Sequence, residues 1–435
     1  MKLNDKSTIR AWAMFDWSNS AYNLVITSTI FPAYYTAITT TQDKGDQVNF
    51  FGFQFINTAL ANYSLACAYL IMAIVLPVLS AIADNRGNKK SFMKVFTYLG
   101  GLSCIGLFFF KLNTLEWGII CSTLAAMGYI GGVLFNNSYL PEIASIDEQD
   151  RVSAQGFAYG YIGSVLLQII CFVFVLKPEW FGIQDATFAP RLSFLLVGLW
   201  WMGFSQIPFK KLPSGKAKPN KINTHILRSG FNELNAVWIK IKGLQNLKKF
   251  LGAFFFYAMG VQTTMLVAAA FGEKVLHLGA SKLIVTILII QLVAIVGAFF
   301  MSTLAKRLGN VRVLIIAVLL WIVVCFSAYL IQTEMQFYIL AALVGLIMGG
   351  IQSLSRSTYS KLIPREEEDT TAFFSFYDVT EKLAIVIGLF FFAFIEEQTK
   401  NIRYSALSLA LFFGIGMFFL IRLLRQNNKE NVSLN

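Results

Sequence analysis

Charge is scarce in this chain. Asp, Glu, Lys and Arg make up 14% of its 435 residues, against roughly a quarter in soluble globular proteins. With 56% hydrophobic residues beside that shortage, the composition excludes a chain that buries a single core away from water. Histidine is nearly missing. The two present, His225 and His277, fall in loops, so a His-based metal site or proton relay is not expected. Cysteine is sparse too, and Cys67, Cys104, Cys121, Cys171 and Cys325 all sit in apolar runs. None has metal-ligand or disulfide-framework spacing, and each reads as a small core residue. A nucleophile motif is also missing, so neither enzyme chemistry nor a cofactor or metal is expected. The first apolar stretch, at about 25 residues, is too long for the core of a cleavable signal peptide.

What is present is a series of long apolar runs. Twelve spans read near 11–35, 58–82, 92–110, 115–139, 153–176, 192–208, 249–271, 282–304, 313–331, 336–360, 371–394 and 404–424. Each is long enough to cross about 30 Å of hydrocarbon at 1.5 Å per residue. The expected fold is therefore an all-α membrane protein of twelve transmembrane helices in two six-helix bundles. The first bundle covers 1–208, a linker 209–249, and the second bundle 250–435.

The net charge of +12 follows topology rather than nucleic-acid binding. Lys2, Lys6 and Arg10 precede the first span, and Arg422, Arg425 and Lys429 follow the last. Most basic residues fall on the same side, which places both termini in the cytoplasm. Compact loops suggest a bacterial inner membrane. In the linker, Lys210 to Lys221 carries Pro213, Gly215 and Pro219, as a flexible joint would. Leu227, Phe231, Leu234, Trp238 and Ile241 then share a helical face, which predicts an amphipathic helix at the membrane surface joining the halves. In the outer loop at 36–57, Asp43, Gly45 and Asp46 precede an apolar stretch, Phe50 to Phe55, expected to pack at the interface. The halves echo each other: Ala83 to Asn88 after the second span resembles Ala305 to Asn310 after the eighth.

Polar residues inside the spans carry the functional expectation, because an unsatisfied polar group in hydrocarbon costs several kcal/mol. In the first span Asp16, Asn19, Ser20, Asn23 and Thr27 fall on one face of an ideal helix. In the fourth, Asn136 and Asn137 either bind solute or pack against a neighbour. In the seventh, Tyr257, Gln262, Thr263 and Thr264 flank Gly260, which either breaks the helix or lets another approach closely. In the tenth, Gln352, Arg356 and Tyr359 share a face. An intramembrane Arg needs an anionic partner, and Asp378 of the eleventh span lies at similar depth, so an Arg356–Asp378 ion pair is expected. Glu381 and Lys382 lie nearer the midplane.

These residues define the candidate site. Asp16, Asn19, Asn23, Asn137, Tyr257, Gln262, Gln352, Arg356 and Tyr359 are candidates for binding solute. Asp16, Asp378 and Glu381 are candidates for proton coupling, since a carboxylate in hydrocarbon is costly and the neutral acid is not. Asp84, Arg86, Glu142 and Arg151 suggest an inner gate, and Lys382 an ion pair with Asp378. A small zwitterion would suit Asp16 for its ammonium and Arg356 for its carboxylate.

Two resemblances are carried by particular stretches. The loop Ser80-Ala81-Ile82-Ala83-Asp84-Asn85-Arg86-Gly87-Asn88-Lys89 resembles the loop signature of the major facilitator superfamily, with Ser80 in place of the usual leading Gly and Arg86 one position late. More specifically, the chain resembles the vacuole-effluxer-like family of autophagy-related amino-acid exporters and their bacterial relatives. The stretches are Trp12 to Tyr22 with Phe31-Pro32; Leu140-Pro141-Glu142 with Ser153 to Tyr161; Gly260-Val261-Gln262-Thr263; and Gly349 to Ser357 with Leu362-Ile363-Pro364 and Phe376-Tyr377-Asp378. Met259 stands where many relatives have an acidic residue.

The resemblance implies a monomeric carrier working by alternating access around a cavity lined by spans one, four, seven and ten. In fungal relatives it implies export of neutral amino acids. The expected partners are a small-molecule solute, the lipid bilayer and protons, with no nucleic acid. Two other readings stand beside this one: an exporter of amphipathic or drug-like compounds, and a membrane nutrient sensor that binds without transport.

Overall fold

A computed structural model describes residues 2–42, 45–185, 187–214, 226–364 and 369–433. Asp43 and the linker residues Gly215 to His225 lie outside the described residues, as do the side chains of Leu227 and Phe231. The fold is all-α, as hydrocarbon demands of any backbone whose N–H and C=O groups must be satisfied within the segment. Ten helices among the described residues are long and apolar enough to cross a membrane. Two further crossings, Lys6–Thr39 and Thr370–Thr399, complete the twelve.

The first crossing is not one straight helix. It runs as α1 (Lys6–Ala21), a π-helical segment (Tyr22–Thr29) and α2 (Ile30–Thr39). Ser28 Oγ donates to the Asn23 carbonyl at 2.9 Å and Thr29 Oγ1 to that of Leu24 at 2.7 Å, both five residues back. Side-chain bonds of this span support the i→i+5 winding. Each π insertion turns the following residues by about 100° relative to an α-helix. The single polar face expected from Asp16 to Thr27 is therefore split: Asp16 and Asn19 are buried, whereas Asn23 is exposed.

After the hairpin β1 (Gln47–Phe50) and β2 (Phe53–Ile56) come α3 (Asn57–Arg86), α4 (Lys89–Gly106), α5 (Leu115–Asn137), α6 (Leu140–Ile143), α7 (Gln149–Leu176) and α8 (Phe188–Lys211). Then follow α9 (Ile226–Gly243), α10 (Gln245–Leu276), α11 (Ala280–Leu308), α12 (Asn310–Leu330), α13 (Glu334–Leu362), α14 (Thr370–Thr399) and α15 (Ile402–Ser433). The stretch Phe50 to Phe55 forms the hairpin, with Phe51 and Phe53 exposed at its turn.

The chain divides into two compact units. The amino unit comprises Lys6–Asn137 and Tyr159–Lys221. Here α1 packs on α8, α4 on α5 and α8, and α3 on α5. The carboxyl unit comprises Met1–Asp5, Ser138–Ala158 and Ile222–Asn435. Here α11 packs on α13, α15 on α10 and α12, and α14 on α10. A Cβ on Gly349 of α13 would lie 2.1 Å from the Ala294 carbonyl oxygen of α11, so this crossing needs a residue without a side chain.

Gly260 is settled in the same way. It lies within continuous α10, and a Cβ there would meet the Phe413 ring of α15 at 2.4 Å. Close packing, not a helix break, is its role. Cys67 corrects another expectation: it is exposed on α3, while the other four cysteines are buried. It shares a face with exposed Tyr63, Leu70 and Ile74, and an apolar run alone does not separate a lipid face from a core face. The predicted linker helix is α9. It buries Val237 and Ile241, stacks Trp238 on Phe376 with ring centres 5.6 Å apart, and pairs Lys240 with Asp369 of the α14 N-cap at 3.1 Å.

Candidate functional site

In the carboxyl unit, one turn of α14 brings Asp378, Glu381 and Lys382 together. Lys382 Nζ stands 2.9 Å from Glu381 Oε2 and 3.4 Å from Asp378 Oδ1. From α10, Gln262 Nε2 donates to Glu381 Oε1 at 2.8 Å. Asp378 is 4% exposed, and its Oδ2 has no hydrogen-bond partner among the described residues. Two acids thus share one base, in surroundings where an unbalanced charge is expensive.

Arg356 does not follow the expected pairing. Asp378 is taken by Lys382, one helical turn along. The Arg356 guanidinium reaches the start of α7: Nε donates to Ser153 Oγ at 2.9 Å and Nη2 to the Ser153 carbonyl at 2.8 Å. The group also lies over the Phe157 ring, 4.3 Å from its centre. Ser153 Oγ in turn donates to the Ser353 carbonyl of α13 at 2.7 Å. Spacing along one helix does not give the azimuth that decides between partners. Arg356, Asp378 and Lys382 are buried and Glu381 is half-buried, and the formal charges of these four sum to zero.

The remaining α10 and α13 candidates differ in what they offer. Tyr257 Oη is 2.7 Å from Ser355 Oγ. Gln352 is half-buried. Tyr359 is fully buried among Phe250, Phe374 and Tyr377, and its hydroxyl donates to the Phe373 carbonyl at 2.5 Å. That hydroxyl proton is committed within the helix pair.

In the amino unit, Asp16 accepts from Asn136 Nδ2 of α5 at 3.2 Å. The Asn136 carbonyl accepts from Trp12 Nε1 at 2.8 Å, which fixes α1 against α5. Asn19 is 1% exposed, and its Nδ2 has no partner among the described residues. Asn137 is buried beside Asn136.

The gate residues sort differently from the expectation. Arg151 pairs with Glu148 in its own turn, and Glu148 also faces Lys306 of α11 at 3.7 Å. The hydrogen bond from Arg151, with the charges of Arg151 and Lys306, holds the Glu148 carboxyl below the usual carboxylate range. Glu142 accepts from Thr370 Oγ1 at 3.1 Å. Asp84 is buried at the end of α3, and Arg86 is exposed. One contact of the Ser138–Ala158 segment was not foreseen. Asp150, 2% exposed at the α7 start, accepts from Lys361 Nζ of α13 at 2.6 Å and from Asn310 Nδ2 of α12 at 2.7 Å. Asn310 belongs to the stretch that echoes Ala83 to Asn88, and Gly87 and Gly309 both turn their loops at positive φ. That echo was the available signal for Asn310. Spacing alone could not join Asp150 to Lys361, some two hundred residues apart.

Comparison with known proteins gives these geometries a family. The model of the vacuole effluxer Atg22-like family matches residues 4–433. An uncharacterized MFS-type transporter, YxiO of Bacillus subtilis, is 31% identical over 411 residues, covering 94% of this chain and 93% of that one. Autophagy-related protein 22 of Eremothecium gossypii is 26% identical, covering 92% of this chain and 87% of its own length. Among solved structures, the human organic anion transporter MFSD10 superposes with a TM-score of 0.72 at 10% identity, covering 96% of this chain and all of that one. The E. coli fucose:proton symporter FucP superposes at 0.70 with 12% identity, covering 95% and 98%. At such identities the superpositions establish the major facilitator fold.

Proposed function

Because this chain belongs to the vacuole effluxer Atg22-like family of major facilitator proteins, we propose that it is a secondary transporter of a small zwitterion, a neutral amino acid, coupled to protons. The observation that carries this reading is the set of four formally balanced charges at Arg356, Asp378, Glu381 and Lys382, with Arg356 donating to Ser153 and Gln262 donating to Glu381. Burying four charges for stability alone is poor physics, because a well-packed apolar core of the same volume is as stable or more so. A cluster that exchanges partners with a solute and a proton has a reason to exist.

In this reading Arg356 takes the solute carboxylate, a planar fork suited to two parallel hydrogen bonds. Asp378, with an oxygen that no described residue satisfies, takes and releases the proton, and Lys382 redistributes between Glu381 and Asp378 as it does so. The basic ends of the chain favour an orientation with both termini in the cytoplasm of a bacterial cell.

Thermal-shift measurement on the purified protein tests the solute half. Stabilisation by neutral amino acids that disappears in Arg356→Ala is expected. Stabilisation by lipophilic cations instead, unchanged in that variant, would replace the reading with an exporter of amphipathic compounds.

A further inference from the structure

Between its first and second crossings the chain forms a hairpin that is apolar on one side only. Cross-strand pairing sets Val48 opposite Phe55 and Phe50 opposite Phe53. Side chains alternate along each strand, so these four share one face of the β1–β2 ribbon. Gln47, Asn49 and Gln54 share the other, with Ile56 at the junction to α3. The apolar face is used at its base and left open at its tip. Val48 is 5% exposed and belongs to the core that includes Tyr35 and Leu60, Phe50 and Phe55 lean against that core, and Phe53 is 71% exposed. A two-stranded hairpin is marginal in water unless its apolar face is covered.

The turn adds another ring to that open tip against backbone preference. Phe51 and Gly52 join the strands, with φ of 49° and 87°. Positive φ at both central residues is the type I′ arrangement, which Asn-Gly or Asp-Gly fills with least strain. A bulky side chain at the first position is disfavoured. Asn49 Oδ1 accepts from the Gly52 N–H at 2.9 Å and steadies the turn. Phe51 is 64% exposed, its ring centre 4.7 Å from that of Phe50. A ring so exposed gains little from the fold in return for the strain, so it points to a surface outside the chain.

The neighbouring helix shows which surface. The Phe50 and Phe55 ring centres stand 6.4 Å apart, and Phe55 meets Tyr63 of α3 edge-on at 6.5 Å. Tyr63 opens the exposed face of α3 that continues through Cys67, Leu70 and Ile74. That face runs for about three turns of a membrane-crossing helix, so it meets lipid tails. The open side of the hairpin is thus continuous, ring by ring, with a lipid-facing surface. We propose that the hairpin is an interfacial anchor on the membrane face opposite the amino terminus. Its apolar side lies in the boundary between headgroups and acyl chains, with Phe51 and Phe53 inserted and Gln47, Asn49 and Gln54 turned to water. The anchor holds the loop between the first crossing and α3 at a fixed depth, whichever solute the protein carries.

Spin-label accessibility in vesicles tests this. In a Cys67→Ser background the four remaining cysteines are buried. Phe51→Cys, Phe53→Cys and, on the polar side, Gln54→Cys would each carry a nitroxide in vesicles of phosphatidylethanolamine and phosphatidylglycerol. Oxygen concentrates in hydrocarbon and a nickel chelate stays in water, so the ratio of their collision rates reports lipid contact. Labels replacing Phe51 and Phe53 are expected to give a ratio at least about fivefold above the label replacing Gln54. Phe51→Asn relaxes the turn and removes one anchoring ring, and is expected to lower the ratio at Phe53 at least about twofold. Equal ratios on the two faces overturn the proposal, as does a ratio at Phe53 that Phe51→Asn leaves unchanged. Labels shielded from both reagents, increasingly so as the protein-to-lipid ratio rises, would give this face to a second copy of the chain and overturn it too.

Discussion

In the amino unit, the polar side chains at mid-span are mostly neutral and lean on a neighbour's carbonyl or hydroxyl. Trp12 donates to the Asn136 carbonyl, Ser18 meets Ser205 at 2.9 Å, and Thr29 returns to Leu24. In the carboxyl unit, α13 and α14 instead carry four charges, tied to Ser153 and Gln262. A neutral hydrogen bond contributes about 1 kcal/mol net and can be lost singly. A buried charge removed singly leaves its partner uncompensated, at roughly 3–5 kcal/mol. The amino unit can therefore vary its polar lining in small steps, as a selectivity surface requires. The carboxyl unit is constrained to change charges in balanced sets.

The largest effect is expected at Lys382. Lys382→Met leaves Asp378 and Glu381 without their shared cation and should lower stability by about 3–5 kcal/mol, read from thermal unfolding in detergent. The double variant Lys382→Met/Asp378→Asn should recover most of that loss. A single variant as stable as the parent would erase the contrast between the units. Next comes Arg356→Lys, which keeps the charge and loses the fork on Ser153. A cost of about 1–3 kcal/mol is expected, together with loss of solute-induced stabilisation.

A smaller effect is expected in the amino unit. Asn136→Ala removes one donor from Asp16 but spares the bond from Trp12, which uses the backbone carbonyl. About 1–2 kcal/mol is expected; a loss as large as that at Lys382 would show the two units to be equally strung on charge. The smallest concerns Glu148. Its carboxyl lies below the ordinary range in the folded protein, so its contribution is fully present above the unfolded value of about 4.3 and is lost as pH falls through the folded value. Its side chain is 30% exposed, and solvent screening holds the effect under about 1 kcal/mol. Hydrogen-exchange protection around 144–151 should be flat from pH 7 to about 5 and fall only in stronger acid. Protection that changes near neutrality would assign the loop to another group.

Much of this contrast could be read before any coordinates. Apolar run lengths give the spans, and the density of Asp378, Glu381 and Lys382 marks α14 as unusual. On the face predicted for α9, Ile241 is buried, Leu234 is half-buried and Trp238 is exposed. Other features depend on contacts that spacing does not encode. The π segment depends on Ser28 and Thr29 returning to carbonyls five residues back. The partner of Arg356 depends on where α7 begins relative to α13. Asp150 meets Lys361 and Asn310 because three helix ends converge, and sequence order is silent on convergence. Gly260 offered a helix break and a close packing contact, and the Phe413 ring against it decides for the second.

Flux across a closed membrane tests the central claim most directly. Purified protein and Asp378→Asn would be reconstituted in liposomes, and uptake of a panel of radiolabelled neutral amino acids followed with and without an imposed pH gradient. The account predicts gradient-driven accumulation by the parent, and exchange without accumulation by the variant. Absence of flux for every neutral amino acid, or parent uptake that ignores the gradient, would contradict it.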